Sequence, residues 1–249
     1  MAVRTLVFPG FSPRGSTLPD PVLSPLPSPL SPIPYPWYPM SIIAQLESFR
    51  IVPVVVLEDA ANAAPLGAAM KAGGLPCAEI TFRTAAAAAS IKAMSADKDI
   101  LVGAGTVLTT DQAQAAVDAG AKFLVSPGFS AKVVEWAIAK NIPIIPGVVT
   151  PTEIQQALEY GLKVVKFFPA GNYGGAKTLK SLAAVYGGLR FVPTGGIDAT
   201  NIADYLGIKA VAACGGSWIC TNELIKAGNW AEITRLTAEG IKVAKAARP

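Results

Sequence analysis

The sequence predicts an α/β protein whose single folded domain is a TIM-type (β/α)8 barrel. From residue 50 onward, short apolar runs alternate with alanine-rich stretches that suit helices. Eight such runs alternating with helices imply parallel strands joined by right-handed crossovers. The runs are almost continuously apolar, as expected for strands that are buried on both faces. A barrel is favoured, and an open doubly wound sheet is the alternative that strand counting leaves open.

Residues 1–40 stand apart from this pattern and are predicted to form a disordered, proline-rich tail. They contain eleven of the 21 prolines in the chain. Proline fixes φ and removes a hydrogen-bond donor, so neither a helix nor a central strand is expected there. Two interpretations stay open: Met40 is the natural start of the protein, or the tail is a proline-rich ligand for a partner domain. The barrel is predicted to span 41–249.

Strands and helices are predicted in strict alternation from residue 51. Thr84, Thr110, Ser130 and Thr150 are predicted N-caps, and the segment Thr150–Glu153 adds a first-turn proline and a capping acid. The predicted strands are Ile51–Val56, Ala78–Phe82, Ile100–Val102, Phe123–Val125, Ile144–Val148, Val164–Phe167, Arg190–Val192 and Ala210–Ala213. The predicted helices lie near 59–72, 84–95, 110–119, 130–140, 151–160, 175–186 and 199–206.

Composition excludes several kinds of chemistry and of partner. The chain has no histidine, which removes Ser-His triads, histidine acid–base catalysis and the commonest zinc ligand. Cys77, Cys214 and Cys220 form no C-x-x-C pair, so we expect reduced, buried thiols in a cytoplasmic protein. The net charge of +4 is dispersed without a Lys/Arg run, which argues against nucleic acid. No apolar run reaches the roughly 18 residues of a membrane span.

The second strand ends with polar residues that a buried strand should not carry. Side chains alternate along a strand, so Glu79, Thr81 and Arg83 share the face that points into the barrel mouth. Chemistry in such barrels takes place at the C-terminal ends of the strands. A structural ion pair between Glu79 and Arg83 is the simpler interpretation, but buried charge is costly, which favours a functional role.

The sixth strand carries a lysine inside an apolar run. Lys166 lies between Val165 and Phe167, whereas Lys163 falls on the other face at the start of the strand and is expected to be solvated. Burial favours a neutral amine, and a neutral amine attacks carbonyl groups. The alternative is a lysine whose amine extends to solvent at the barrel rim.

Glycines follow several of the predicted strands. The pairs in Gly195–Ile197 and Gly215–Ser217 come after strands 7 and 8, where these barrels usually bind phosphate through backbone N–H groups. Gly103–Thr106 follows strand 3 and lacks the third glycine of a dinucleotide fingerprint, so no nicotinamide cofactor is expected. Thr106 is a possible hydrogen-bond donor at the mouth.

Taken together, these segments resemble the family of 2-keto-3-deoxy-6-phosphogluconate (KDPG) and 4-hydroxy-2-oxoglutarate (KHG) aldolases. The resemblance covers about 41–225, in the order and spacing of the family. The tail has no counterpart there. The matching segments are AEITFRT (78–84), GAGTVL (103–108), FLVSPGF (123–129), IPGVVTPTEI (145–154), VVKFFPA (164–170), PTGGI (193–197) and GGSW (215–218).

The resemblance implies a class I aldolase, an aldehyde-lyase that needs neither metal nor cofactor. It implies that Lys166 forms a Schiff base with the keto acid and that Glu79 is the general acid/base. It also implies a phosphorylated 2-keto acid as the small-molecule substrate, and a cytoplasmic homotrimer in the Entner–Doudoroff route. The implied substrate-binding residues are Arg83 and Thr106 at the pyruvate-like end, Pro127 and Phe168 along the pocket, and Gly195, Gly196 and Ser217 at the phosphate.

Two other functions stay open at this point. A non-catalytic phosphate binder or assembly scaffold on the same barrel would keep the glycine loops but would not need Lys166 and Glu79 at one mouth. A different barrel enzyme, such as a phosphosugar isomerase, would more often use two acid/base residues. The sequence does not decide between gluconate phosphate, galactonate phosphate and hydroxyoxoglutarate as substrate.

Overall fold

Short parallel strands run through the middle of the domain. A computed structural model describes residues 40–248, and the predictions for the tail concern residues outside that range. Every strand pairing within the described residues is parallel. The strands are β1 (Ile51–Val55), β2 (Cys77–Thr81), β3 (Leu101–Gly105), β4 (Leu124–Val125), β5 (Ile144–Ile145), β6 (Gly147–Val148), β7 (Val164–Phe167), β8 (Arg190–Pro193) and β9 (Cys214–Gly216).

Two sheets contain these strands. Six strands follow the order β5-β4-β3-β2-β1-β9, and three follow the order β6-β7-β8. Pro146 alone separates β5 from β6, so both sheets share one continuous stretch of chain. Single bridges pair Phe191 with Val211 and Thr194 with Gly215, which join β8 to the β9 region. Because all strands are parallel, their C-terminal ends lie on one side, here called the mouth.

Helices alternate with the strands, as predicted. They are α1 (Met40–Phe49), α2 (Ala63–Ala72), α3 (Ala87–Met94), α4 (Thr110–Asp118), α5 (Ala131–Ala139), α6 (Pro151–Glu159), α7 (Gly175–Val185), α8 (Ile202–Leu206), α9 (Asn222–Lys226) and α10 (Trp230–Ala247), with 3-10 turns at Ala60–Asn62 and Gly171–Tyr173. The described residues belong to one compact α/β domain. Across them, every helix is too short or too polar to cross a bilayer.

The predicted N-cap residues were partly correct. Thr150 and Glu153 form the predicted capping box before α6. The cap of α4 is Thr109, which accepts from the Gln112 amide, so the prediction of Thr110 was wrong by one residue. Ser130 precedes α5 without a side-chain cap. The Thr84 hydroxyl bonds instead to the Leu57 carbonyl, because α3 begins three residues later.

The last strand lies later in the chain than predicted. We expected Ala210–Ala213, but β9 is Cys214–Gly216, with Gly215 and Gly216 paired to β1. Gly103 and Gly105 likewise lie within β3 rather than after it. Glycine is a poor strand former, so the hydrophobic pattern stopped at the glycines and the predicted C-terminal ends of these strands were too early. Glycine is required there because neighbouring side chains leave no room: a Cβ on Gly103 would lie 2.2 Å from the Phe123 ring.

Candidate active site

A buried amine and a buried carboxylate meet in the interior. Lys166 on β7 is 5% exposed and Glu79 on β2 is 2% exposed. Lys166 Nζ lies 3.1 Å from Glu79 Oε1, and this contact is both a hydrogen bond and an ion pair. Lys163 is exposed, as predicted. The amine of Lys166 therefore extends into the interior beside an acid, and the alternative of an amine in solvent at the rim was wrong.

Strand alternation and two glycines make space for this pair. Val165 and Phe167 pack fully buried on the opposite face of β7, which directs Lys166 inward. On β3, a Cβ at Gly105 would lie 2.2 Å from Glu79 Oε1. On β6, Gly147 pairs with Lys166, and a Cβ there would lie 2.1 Å from the Pro127 carbonyl oxygen. A side chain at Gly105 would displace the Glu79 carboxylate, and one at Gly147 would displace the backbone at Pro127.

Phe168 connects the buried pair to a cavity. The Lys166 Nζ lies 5.1 Å from the centroid of the Phe168 ring, close enough for a cation–π interaction. Phe168 is half-buried and also lines a cavity of about 420 Å³ at the mouth. The cavity lining consists of Val54, Val56, Arg83, Phe168, Thr194, Gly195, Gly196, Ile197, Gly216, Ser217, Cys220, Thr221, Asn222 and Glu223.

The cavity brings together five of the predicted binding residues, namely Arg83, Phe168, Gly195, Gly196 and Ser217. Glu79, Lys166, Thr106 and Pro127 are not part of its lining. Thr106 directly follows β3 and Pro127 follows β4, so both lie at the mouth. Thr106 has φ +56°, an unusual backbone conformation for threonine that is often found at functional sites.

The second strand differs from its predicted pattern beyond Thr81. The strand ends there, so alternation no longer governs Arg83, which lies exposed in the following turn. Within the described part of the chain Arg83 makes no ion pair, and the partner of Glu79 is Lys166. The interpretation of a structural Glu79–Arg83 pair was therefore wrong. Thr81 donates to the Val55 carbonyl at 3.0 Å, which makes it a structural residue.

Gly195, Gly196 and Ile197 line one end of the cavity, here called the glycine end. Gly195 and Gly196 have φ +98° and +71°, conformations that L side chains rarely adopt. The amides of Gly196 and Ile197 donate no hydrogen bond to another residue within 40–248, whereas the Gly195 amide belongs to the bridge between Thr194 and Gly215. Successive free N–H groups in such a turn form a concave site for an anion. This end of the cavity can therefore bind a phosphate group through the backbone.

Several lining residues were missed by the sequence analysis. Thr194 is buried directly after β8, next to the predicted glycines, and its position in the motif PTGGI was the available signal. Thr221 and Glu223 belong to the start of α9, and no sequence pattern marked them as cavity residues. Backbone and Thr221 hydrogen bonds lower the pKa of Glu223, so it is a carboxylate. Burial raises the pKa of the Cys220 thiol to about 12, which makes it unreactive.

Comparison with known proteins identifies the family. A model of the KDPG and KHG aldolase family matches residues 42–236. The chain therefore belongs to this family. It is 47% identical over 205 residues to a 2-dehydro-3-deoxy-phosphogluconate aldolase of Treponema pallidum, an alignment covering 82% of this chain and 98% of that protein. Within residues 40–248, no group of three or more His, Cys, Asp or Glu side chains is arranged to hold a metal ion.

Solved structures of the KDPG and KHG aldolase family have the same fold. The 2-keto-3-deoxy-6-phosphogluconate aldolase of Zymomonas mobilis, solved with 3-phosphoglycerate, superposes with a TM-score of 0.77 at 38% identity, covering 82% of this chain and 95% of that one. The KDPG aldolase of Legionella pneumophila gives 0.76 at 38% identity, with 79% and 96% covered. That structure contains pyruvate captured at low pH as a covalent carbinolamine intermediate.

Proposed function

We propose that this chain is a class I aldolase that cleaves KDPG to pyruvate and glyceraldehyde 3-phosphate. KHG, cleaved to pyruvate and glyoxylate, is the second substrate that the family assignment supports. One observation carries the mechanism: Lys166 Nζ and Glu79 Oε1 lie 3.1 Å apart in the interior, beside a cavity that can accept a phosphate. A carbinolamine in the Legionella relative supports amine chemistry of this kind.

The first step joins the substrate to the enzyme. The Lys166 amine gives up a proton to Glu79 and attacks C2 of the keto acid, forming a carbinolamine. The C2 hydroxyl is protonated and leaves as water, so an iminium cation links Lys166 to C2. This cation accepts the electron pair of the bond that breaks next.

Cleavage follows from the position of the acid. Glu79, acting through a water molecule, removes the proton of the C4 hydroxyl. The C3–C4 bond breaks, its electrons form an enamine at C2–C3, and the aldehyde leaves. Protonation of C3 restores the iminium, and hydrolysis releases pyruvate and the free amine. A positioned acid/base of this kind contributes about 10²–10⁴-fold to the rate.

The remaining predicted residues would bind the substrate. Arg83 and Thr106 would bind the carboxylate of the keto acid, with Arg83 contributing charge-assisted hydrogen bonds. Pro127 and Phe168 would line the pocket. Gly195, Gly196 and Ser217 would bind the phosphate, a role supported by the free amides at the glycine end and by the shared cavity.

We further infer the architecture beyond the paired strands. Pro146 and the two bridges at β8 support closure of the two sheets into one eight-stranded (β/α)8 barrel. We propose domain limits at 1–40 for the tail and 41–249 for the barrel. A homotrimer in the cytoplasm completes the proposal, by resemblance to the family.

Trapping with pyruvate and borohydride tests this function. Reduction should fix one pyruvate on the peptide that contains Lys166, and the same protein should release pyruvate from KDPG. Lys166→Ala should lose both properties. Lys163→Ala is the matched control, because Lys163 lies three residues away but is exposed, and it should keep both. Full lyase activity in Lys166→Ala would overturn the mechanism, and a chain without adduct or pyruvate release would be the non-catalytic phosphate binder.

A further inference from the structure

One side chain bonds to the glycine loop at two points. Asn201 Nδ2 donates to the Gly196 carbonyl oxygen at 2.8 Å. Its Oδ1 accepts from the Asp198 amide at 3.0 Å. These two bonds link residue 201 to both ends of the segment 196–198. They restrain the loop that lines the glycine end of the cavity.

Asn201 is the N-cap residue of α8, but its side chain does not cap the helix. At an N-cap the side chain ordinarily accepts from an amide two or three residues ahead. The Asn201 side chain makes no such bond. Four other α-helix caps in the described chain do bond forward, namely Thr109, Thr150, Thr221 and Asn229. Asn201 bonds backward instead, so its side chain serves the loop rather than the helix.

No other side chain in the described residues bonds to the Gly196 carbonyl. The nearby Asp198 carboxylate accepts from the amide of Thr200 at 2.8 Å and also from its hydroxyl. These bonds hold the pKa of Asp198 below its usual range, so it remains an anion bound to Thr200. The orientation of the Gly196 peptide therefore depends on Asn201.

We propose that Asn201 is a positioning residue for the phosphate group of the substrate. The Gly196 carbonyl and the Ile197 amide belong to one planar trans peptide unit and point in opposite directions. By binding the carbonyl, Asn201 directs the Ile197 amide away from itself, into the set of free donors that line the cavity. This inference rests on the proposed function and extends it to a residue that does not touch the substrate.

The variant Asn201→Asp tests the proposal with the smallest change in shape. The carboxylate can still accept from the Asp198 amide, but it cannot donate to the Gly196 carbonyl. We expect the Kd of inorganic phosphate, measured by calorimetry, and the KM for KDPG to rise about tenfold. The kcat for KDPG should stay the same, because Lys166 and Glu79 are untouched.

Asn229→Ala is the matched control, because it removes an asparagine cap before α10 and should lower stability without changing phosphate affinity. An unchanged phosphate Kd in Asn201→Asp would overturn the proposal, and so would an equal rise in Asn229→Ala. Phosphate binding needs no turnover, and trapping with pyruvate needs no phosphate. Absence of the pyruvate adduct in the unmodified protein would refute the proposed function alone, whereas a normal adduct with unchanged phosphate affinity in Asn201→Asp would refute this inference alone.

Discussion

The two ends of the site consist of different chemical groups. At the inner end, two charged side chains on strands of different sheets, Lys166 on β7 and Glu79 on β2, are buried and meet at 3.1 Å. At the glycine end, Gly195 and Gly196 line the cavity in a positive-φ turn, and the amides of Gly196 and Ile197 have no acceptor within 40–248. The inner end carries reactive groups, and the glycine end offers hydrogen-bond donors that undergo no chemistry.

This difference predicts that substitutions at the two ends change different kinetic constants. Side chains that change protonation or bonding during the reaction should affect kcat. Donors that bind the substrate and the transition state equally should affect KM alone. Variants at the two ends should therefore separate the two kinetic constants. If both ends affect kcat equally, this prediction is wrong.

After the loss of activity expected for Lys166→Ala, the largest effect is expected at Glu79. Glu79→Gln keeps the shape of the side chain but removes its ability to take up and return a proton. We expect kcat for KDPG to fall about 10²–10⁴-fold, while the protein still forms the reduced pyruvate adduct on Lys166, more slowly because Glu79 no longer accepts the proton of the amine. Steady-state kinetics and mass spectrometry measure the two properties. Glu159→Gln, at an exposed position on α6, is the control. A drop of less than tenfold would remove Glu79 from the role of acid/base.

The next largest effect is expected at Gly105, where glycine is needed because a side chain would have no room. A Cβ at Gly105 would lie 2.2 Å from Glu79 Oε1, so Gly105→Ala must displace the carboxylate. A displacement of about 1 Å costs about 10²-fold in rate, so kcat should fall by that amount. Gly128→Ala, at a position where a Cβ meets no atom within 4 Å, should be silent. Normal kcat in Gly105→Ala would mean that Glu79 adjusts without loss.

Sequence reasoning found the inner end more readily than the glycine end for a physical reason. Lys166 and Glu79 interrupt apolar runs, and a buried charge is costly enough to be a signal. Strand alternation then placed both inside. Alternation failed at Arg83 because β2 ends at Thr81, and a strand end is not encoded by the pattern. The sequence did not predict the 3.1 Å contact between Lys166 and Glu79, because that contact depends on how β7 and β2 are placed relative to each other.

The glycine end was harder because glycines have two uses that look the same in a sequence. Gly195 and Gly196 have positive φ in a loop, as expected, but Gly215 and Gly216 lie inside β9. The residues of α9 that line the cavity arrive there by the path of the chain after Ser217, which no local pattern reveals. The helix predicted near 199–206 included Asn201, whereas the structure makes it the N-cap of α8, and its backward bonds depend on the folded loop.

The inner end should also carry a measurable cost in stability. Replacing a buried ion pair with apolar residues of similar shape often stabilises a protein by about 1–4 kcal/mol, whereas removing one partner costs about 3–5 kcal/mol. We expect Glu79→Met to lower the free energy of unfolding and the double variant with Lys166→Met to raise it above that of the unmodified protein. Urea denaturation measures both. A double variant less stable than the unmodified protein would show that the pair is kept for stability as well as for catalysis.

The smallest effect is expected at Gly196, where the requirement is conformational. A Cβ there would lie 3.5 Å from the Gly171 Cα, an ordinary contact, so the cost of Gly196→Ala comes from its φ of +71°. That cost is about 1–2 kcal/mol for an L residue. We expect the free energy of unfolding to fall by about 1 kcal/mol and KM for KDPG to rise, with kcat unchanged. Gly187→Ala, which has neither positive φ nor a close neighbour, should change none of these. A fall in kcat in Gly196→Ala would mean that the glycine end also positions the substrate for bond cleavage, because a backbone donor that only binds cannot slow the chemical step.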